Sequence, residues 1–328
     1  MGLISDAARL GVKRPYTQGH QIAWMRTPSG CLWALVLAGG DGTRLQAVTR
    51  AIAGAPIPKQ YCRIIGNRSL LEATLDRIAP LVPPDRTLAI VNRGHLKLAR
   101  PQVATLPISN VLVQPRNLDT GPGILVSLLE LDRRDSEATV SIFPSDHDIR
   151  AEVAFRAHIV QMTRLVAKHR DKIALLGARP DRTETGYGYI VPGPRVWGAG
   201  AAFRVAAFHE KPVQSLAADI IRRGGLWNSF VMVGRVARFI ELLREIRPDD
   251  VARLAHVPAD AEALALAYDE IASWNFSRDF LTRIPEHLVV DRAHDLGWSD
   301  WGTPEAIERT FATMGLVPPW RVPQRATA

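Results

Sequence analysis

The chain has 328 residues, 47% hydrophobic and 23% charged, with a formal net charge of +8. That suffices for one large domain or two small ones with a sizeable core, at ordinary globular charge content. The basic residues are scattered, and the nearest thing to a basic aromatic arm, RPYTQGHQIAWMR, is weak, which argues against a nucleic-acid footprint.

Residues 1–30 carry no periodic pattern and are expected to form a flexible arm, with Met25 as an alternative start. The arm lacks the charged-then-apolar pattern of a signal peptide. MGLISD has Asp6 where myristoylation wants Ser or Thr. Cys31 and Cys62 are too few for a disulfide framework or a zinc site. No apolar run approaches the ~20 residues of a membrane helix. A cytoplasmic protein that engages no nucleic acid and no membrane is the expectation.

From Cys31 onward, strands and helices alternate. LWALVLA is a short continuous apolar run, as expected of a strand buried on both faces. SLLEATLDRIAPLV places Leu70, Leu71, Thr74, Leu75 and Ile78 at helical spacing, with Asn67 or Ser69 as its cap. TLAIVN is a second strand, followed by a helical segment near His95–Val103. NVLVQP is a third strand, and TGPGILVSLLEL begins a helix with Thr120 as the expected cap. ATVSIFPSDHD is a fourth strand ending in acids, with Asp148 read as the cap of the next helix. That helix carries a stripe of Phe155, Ile159, Met162 and Val166, and KIALLGA is the fifth strand. The alternation predicts an α/β fold: a mostly parallel mixed sheet flanked by helices.

After Arg179 the texture changes. GYGYIVPG, AAFRVAAFHEKP and LWNSFVMV read as short strands, with helices near Val213–Arg223, Val236–Ile246 and Ala259–Ala272. HLVVD is a last strand, and DLGWSDWGTPEAIERTF a loop and a final helix. With no Gly/Ser linker, residues 31–315 are expected to form a single domain, 31–180 a nucleotide half and 181–315 a second-substrate half, with 316–328 a tail.

LVLAGGDGTRL, Leu35–Leu45, has strand-then-glycine texture. The dinucleotide pattern G-x-G-x-x-G fails, because Leu45 stands at its third glycine, and no Gly-Lys-Ser/Thr follows to make a P-loop. A polyphosphate nest built on backbone N–H groups and Arg44, or a plain structural turn, remains.

Other motifs decide between them. LAGGDGTRL followed by Pro58–Gln60 resembles the signature of sugar-1-phosphate nucleotidylyltransferases. FPSDHDI, ETGYGYI, FHEKP, WNS and GWSDWG then resemble, in order, motifs of the mannose-1-phosphate guanylyltransferase (GDP-mannose pyrophosphorylase) branch. The resemblance spans residues 32–312 and implies a Rossmann-like, GT-A-like nucleotidyltransferase fold. It implies attack by a sugar-1-phosphate oxygen on the α-phosphorus of a nucleoside triphosphate, with GTP and mannose 1-phosphate as substrates and pyrophosphate as the leaving group. A phosphate monoester is already anionic near neutral pH, so cations and in-line positioning matter more than a base.

By this resemblance, Leu37, Gly39, Gly40, Gly42, Thr43, Asp119 and Thr120 line the nucleotide side. Arg44, Lys59 and Asp146 act in catalysis, and Asp146 with Asp300 holds Mg2+, which takes oxygen ligands. Gly186, Glu210, Lys211 and Asn228 take the sugar phosphate. His147 is read as a structural hydrogen-bonding residue, Trp298 and Trp301 as packing, and Tyr187 and Tyr189 as either site or core. The implied partners are the two substrates, with a homodimer as the candidate assembly.

Three departures stand out. LDTGPG replaces Arg-Asn-Thr-Ala-Pro-Ala, so Leu118 and Asp119 stand for Arg and Asn beside the base. Phe230 replaces the glycine of W-N-S-G, and SWNFS replaces Ser-Ile-Asp-Tyr-Ala, with Asn275 in place of the aspartate. The chain also ends soon after the Asp300 loop, leaving no room for the phosphomannose isomerase domain of many members. The competing readings are a sugar-nucleotide sensor of the same fold, an enzyme for another sugar or base, and, from charge alone, a nucleic-acid binder. Retention of Arg44, Lys59, Asp146, Lys211 and Asp300 favours the enzyme, because a sensor needs no metal pair.

Overall fold

The computed structural model describes residues 32–196, 202–257 and 261–321. The expected N-terminal arm, Cys31 and the end of the tail lie outside the described residues.

The strands are β1 (Leu32–Ala38), β2 (Thr87–Asn92), β3 (Val111–Gln114), β4 (Thr139–Pro144), β5 (Ile173–Ala178), β6 (Gly188–Arg195), β7 (Ala202–Glu210), β8 (Leu226–Arg235) and β9 (Leu288–Ala293). They form one mixed sheet in the order β3-β2-β1-β4-β8-β5-β9-β7-β6. The helices are α1 (Gln46–Ala53), α2 (Leu70–Ile78), α3 (Leu96–Gln102), α4 (Thr120–Arg134), α5 (Glu152–Lys168), α6 (Gln214–Arg222), α7 (Val236–Ile246), α8 (Pro248–Ala255), α9 (Ala261–Asp269), α10 (Phe276–Asp279) and α11 (Pro304–Thr313).

Strand β1 is the switch point. It pairs in parallel with β2 on one side and β4 on the other. Open α/β sheets bind ligands in the crevice beyond the carboxyl ends of the strands at such a point. The glycine turn leaves β1 there, and Ser145–Asp146 leaves β4. Strand β8 runs antiparallel between β4 and β5, so a late strand sits in the middle of the sheet. Strand β6 pairs with β7 and again with β8, Tyr189 opposite Trp227, folding the far end back on itself.

Both faces of the sheet are covered, which explains why β1 is apolar throughout. Leu35 joins the core beneath Ile124 and Leu128 of α4 and Phe239 and Leu243 of α7. Ala34, Val36 and Ala38 join the opposite core beneath Leu71 and Leu75 of α2 and the Phe155–Ile159–Met162 stripe of α5. Val166 completes that stripe, fully buried. Ser69, not Asn67, caps α2: it accepts from Glu72 N (3.1 Å) while Glu72 Oε2 accepts from Ser69 N (2.8 Å), a complete capping box.

A third cluster carries Leu45 and Val48 of the first segment against Trp301, Ile307 and Phe311 near the chain end. Burying such side chains is worth roughly 1.5–3 kcal/mol each. This packing draws the Asp300 loop onto the glycine turn.

Two expected caps are corrected. Asp119, not Thr120, caps α4; its carboxylate accepts from Thr120 N at 2.7 Å, and the Thr120 hydroxyl instead accepts from Phe276 N at 2.9 Å. Asp148 does not cap α5, which starts at Glu152 after Ala151 with no side-chain cap. Asp148 is held back by a two-way bridge with Ser299, at 2.9 and 3.0 Å, so its backbone cannot enter the helix.

Candidate functional site

One cavity of about 590 Å³ opens at the switch point. The structure brings Leu37, Gly39, Gly40, Arg44, Asp119, Thr120 and Asp146 onto its wall from the first half of the chain. Gly186, Glu210, Lys211, Asn228 and Asp300 join from the second half. Gly42, Thr43 and Lys59 are not on the wall.

The glycine turn is held from behind. Gln60 donates to the carbonyls of Ala38 (3.2 Å) and Gly40 (2.6 Å), and the Tyr61 hydroxyl donates to Ala38 O at 2.7 Å. Gly42 adopts φ +62°, and a Cβ there would lie 2.9 Å from Pro58 Cα, so this glycine seats the turn on the Pro-Lys-Gln segment. Asp41 is fixed by Asn117 Nδ2 (2.9 Å) and by His95 Nε2 (3.5 Å). Gln60, Asn117 and Asp41 are not among the expected site residues; Asp41 within the glycine turn and Gln60 beside Lys59 carry a signal in the motifs, and Asn117 carries none.

Lys59 is buried and stands between the two aspartate loops. Its ammonium pairs with Asp146 Oδ2 at 3.3 Å and donates to the carbonyls of Asp300 and Trp301, the latter at 3.1 Å. Burial opposes ionisation of Asp146, but the Lys59 ammonium beside it outweighs burial and holds the carboxyl below the usual range. Asp300 accepts from the Tyr187 hydroxyl (2.6 Å) and from Gly302 N (2.8 Å), both on Oδ1. Tyr187 is therefore both core and site: its ring is buried edge-on to Trp227 and Trp298 while its hydroxyl orients Asp300.

His147 makes a hydrogen bond as expected, and it also lines the cavity, with Nε2 3.6 Å from Asp146 Oδ1. Burial lowers its pKa, and its Nδ1 accepts from Trp298 Nε1 at 3.2 Å, which requires an unprotonated Nδ1. Trp301 is fully buried packing, and Trp298 joins an aromatic cluster that also reaches the cavity. Asp148, behind the site, has its pKa pushed up to about 6 by burial, and its Oδ2 has no hydrogen-bond partner.

The donor set suits a hard cation. Asp146 and Asp300 both line the cavity, and Asp300 keeps Oδ2 clear of its two hydrogen bonds. Among the described residues, no group of three or more His, Cys, Asp or Glu could hold a metal. Magnesium characteristically takes one or two carboxylates and completes its shell with water and substrate phosphates, so Asp146 and Asp300 fit it.

On the second-half wall, burial raises the Glu210 pKa against the pull of Lys211, whose ammonium lies 3.7 Å away. Asn228 Oδ1 accepts from Phe230 N at 3.1 Å, which leaves the Asn228 amide nitrogen as its free donor end.

The departures from the family pattern meet in space. Asn275 Nδ2 donates to Asp119 Oδ1 at 3.0 Å. A Cβ on Gly121 would collide with the Trp274 ring, and Gly121 N donates to Trp274 O at 3.0 Å. Phe230 has φ +61° and faces Phe276 edge-on at 6.5 Å.

Comparison with known proteins agrees with this geometry. The family model described as nucleotidyl transferase matches residues 33–315. The Xanthan biosynthesis protein XanB of Xanthomonas campestris pv. campestris (strain B100) is 33% identical over 279 residues, covering 82% of this chain and 57% of that protein. The mannose-1-phosphate guanylyltransferase of Escherichia coli (strain K12) is 31% identical over 286 residues, covering 83% of this chain and 58% of that protein. The chain thus spans a little over half the length of the curated relatives it matches. A solved structure from Thermus thermophilus, titled mannose-1-phosphate geranyltransferase, superposes with a TM-score of 0.76 at 34% identity, covering 86% of this chain and 79% of that one. With the switch-point cavity, the paired aspartate loops and a match over most of its length, the chain belongs to the nucleotidyl transferase family.

Proposed function

We propose that this chain transfers a nucleotidyl group from a nucleoside triphosphate to a sugar 1-phosphate, releasing pyrophosphate, with GTP and mannose 1-phosphate as the pair and Mg2+ as the cofactor. The observation that carries the reading is Lys59: one buried ammonium ties Asp146 to the Asp300 loop. The names of the relatives support the choice of substrates.

The residues would work as follows. Gly39, Gly40, Gly42 and Thr43 present the turn whose backbone approaches the triphosphate closely, and Arg44, exposed at its end, neutralises it. Asp146 and Asp300 hold the magnesium ion, which when bound relieves repulsion between the two phosphate groups. Lys59 keeps both loops in register and Asp146 ionised. Lys211 and the Asn228 amide meet the sugar phosphate, and Glu210 and the Gly186 backbone take sugar hydroxyls. Leu37 and Thr120 flank the base. Asp119 offers a carboxylate to N–H donors such as those of guanine. Residues 31–315 act as one catalytic unit, its two halves sharing the sheet through β8.

The test is a matrix of nucleoside triphosphates against sugar 1-phosphates with pyrophosphate detection. Mg2+-dependent release with GTP and mannose 1-phosphate, lost in both Asp146→Ala and Asp300→Ala, is expected. Turnover that survives both substitutions would remove the metal assignment, and absence of turnover with every pair would leave a sugar-nucleotide sensor.

A further inference from the structure

Strand β8 is not regular where it passes the cavity. Its register against β5 slips between Leu175 and Gly177, which pair with Met232 and Asn228, so Ser229, Phe230 and Val231 bulge out of the ladder. Bulges re-aim side chains and gather beside functional sites. Phe230 sits at the crest with φ +61°, a conformation that disfavours every residue with a Cβ. Such a residue persists only where its surroundings hold it.

The surroundings do hold it. Its N–H is tied to Asn228 Oδ1 at 3.1 Å, and the Ser229 hydroxyl locks the bulge by donating to Leu176 O at 2.6 Å. The ring is backed by Phe276, itself packed on Trp274, Phe280 and Phe239. These contacts support the ring on the cavity wall that it lines. Glu210, Lys211 and Asn228 line the same cavity with polar groups, and Phe230 joins Tyr187 and Trp298 as an aromatic residue among them.

We propose that Phe230 determines which sugar 1-phosphate this chain accepts: its ring selects a deoxyhexose 1-phosphate, one that turns a carbon-bound hydrogen edge toward it, over the fully hydroxylated hexose. This rests on the nucleotidyl-transfer reading above and refines its acceptor: mannose 1-phosphate is turned over, and a deoxy analogue of it is preferred. A hydroxyl pressed on the ring loses its water and gains no hydrogen bond, whereas a C–H or methyl edge loses nothing. Hydroxyl discrimination of this kind by an apolar wall amounts to roughly ten- to a hundredfold in kcat/KM. The bulge ties the two functions together, because the same backbone N–H that supports the ring also points the Asn228 amide nitrogen outward.

The test compares the full chain with Phe230→Gly and Phe230→Leu. Glycine is compatible with the bulge, so that variant is expected to fold at least as stably; leucine keeps the strain and removes the aromatic face. Each is assayed with one nucleoside triphosphate against mannose 1-phosphate and its 2-, 3-, 4- and 6-deoxy analogues, then with one acceptor against GTP, ATP, UTP and dTTP. Wild type is expected to favour one deoxy analogue over mannose 1-phosphate by at least about tenfold in kcat/KM. Phe230→Gly is expected to erase or reverse that preference while leaving the donor order unchanged. An acceptor order unchanged in Phe230→Gly, or a change in donor order instead, would overturn the proposal while leaving nucleotidyl transfer intact. Absence of turnover with every pair would overturn both.

Discussion

The Asn275 side-chain amide donates to the Asp119 carboxylate across 3.0 Å, joining the loop before α4 to the loop before α10. Both residues are also helix caps, Asp119 for Thr120 N and Asn275 for Arg278 N. The family pattern carries the amide at the first position and the carboxylate at the second. Here the two have traded places, so one hydrogen bond with one charge is preserved. Asn275→Asp sets two carboxylates against each other, and at about 4 Å in water that repulsion is worth about 1 kcal/mol. Asn275→Asp is therefore expected to lower Tm by a few degrees at pH 7 and low salt, Asp119→Asn alone by less, and the double exchange to recover most of the loss. Thermal unfolding of the four proteins as a double-mutant cycle checks this; additive losses would show that the pair is not coupled.

The neighbouring pair is steric. Gly121→Ala drives a methyl group into the Trp274 ring, which is stacked on Phe276 and cannot yield. Overpacking of this kind costs about 1–3 kcal/mol. Trp274→Leu in the same chain makes room, so Gly121→Ala is expected to be far less costly in that background. Urea unfolding midpoints of the two single variants and the double variant measure the coupling.

Lys59→Met removes the cation between the aspartate loops while keeping bulk. It leaves the carbonyls of Asp300 and Trp301 without this donor, a penalty of about 1–3 kcal/mol. Nucleotidyl transfer is expected to fall by at least about a hundredfold, the range seen on loss of one preorganised electrostatic group. The pH dependence has a definite sign. The Asp146 pKa is depressed in the fold, so its stabilisation is present above the ordinary carboxylate pKa near ~3.9 and is lost as pH falls through the lower folded value. The stability gap between wild type and Lys59→Met should thus narrow below about pH 4. Unfolding measured between pH 3 and pH 8 resolves it, and a gap that stays constant would contradict the pairing.

Asp148 has the opposite sign. Burial raises its pKa to about 6, so the folded state prefers the protonated acid. The stability from that preference is full below about pH 4 and is lost as pH rises through the folded pKa. Asp148→Asn keeps the backbone bridge to Ser299 and removes the charge. Its Tm is expected to exceed that of wild type by about 2–4 °C at pH 7.5 and to match it near pH 4. Equal Tm values at pH 7.5 would mean that Arg77 and Arg150 already compensate the ionised carboxylate.

Tyr187→Phe frees Asp300 Oδ1 from its tyrosine donor but leaves the ring packing intact. The fold should lose about 1 kcal/mol at most. The Mg2+ concentration giving half-maximal pyrophosphate release should rise by roughly ten- to a hundredfold, as when a group orienting a metal ligand is lost. An unchanged Mg2+ requirement would count against Asp300 as a ligand.

Much of this was legible in residue order. The double-sided burial of β1, the α5 stripe and the strand–helix alternation follow from local periodicity, because each element shows in sequence which of its faces are apolar. The glycine turn was legible because its backbone needs residues without a Cβ. The α4 cap lies one residue before the expected Thr120, and Asp148 does not cap α5, because in each case a contact from a distant loop outcompetes the local geometry. The antiparallel entry of β8 between β4 and β5 likewise left no local mark.

The sequence by itself determined which chemical groups are present, the glycine turn, the lysine and the two aspartates, and the motifs in which they sit. Only the tertiary structure decided that Lys59 spans both aspartate loops, that Asp119 is answered by Asn275, and that Phe230 is turned into the cavity by a bulge. Those relationships join residues far apart in the chain, and they exist only once burial of Trp301 and Phe311 on Leu45 and insertion of β8 into the sheet have brought these distant segments together.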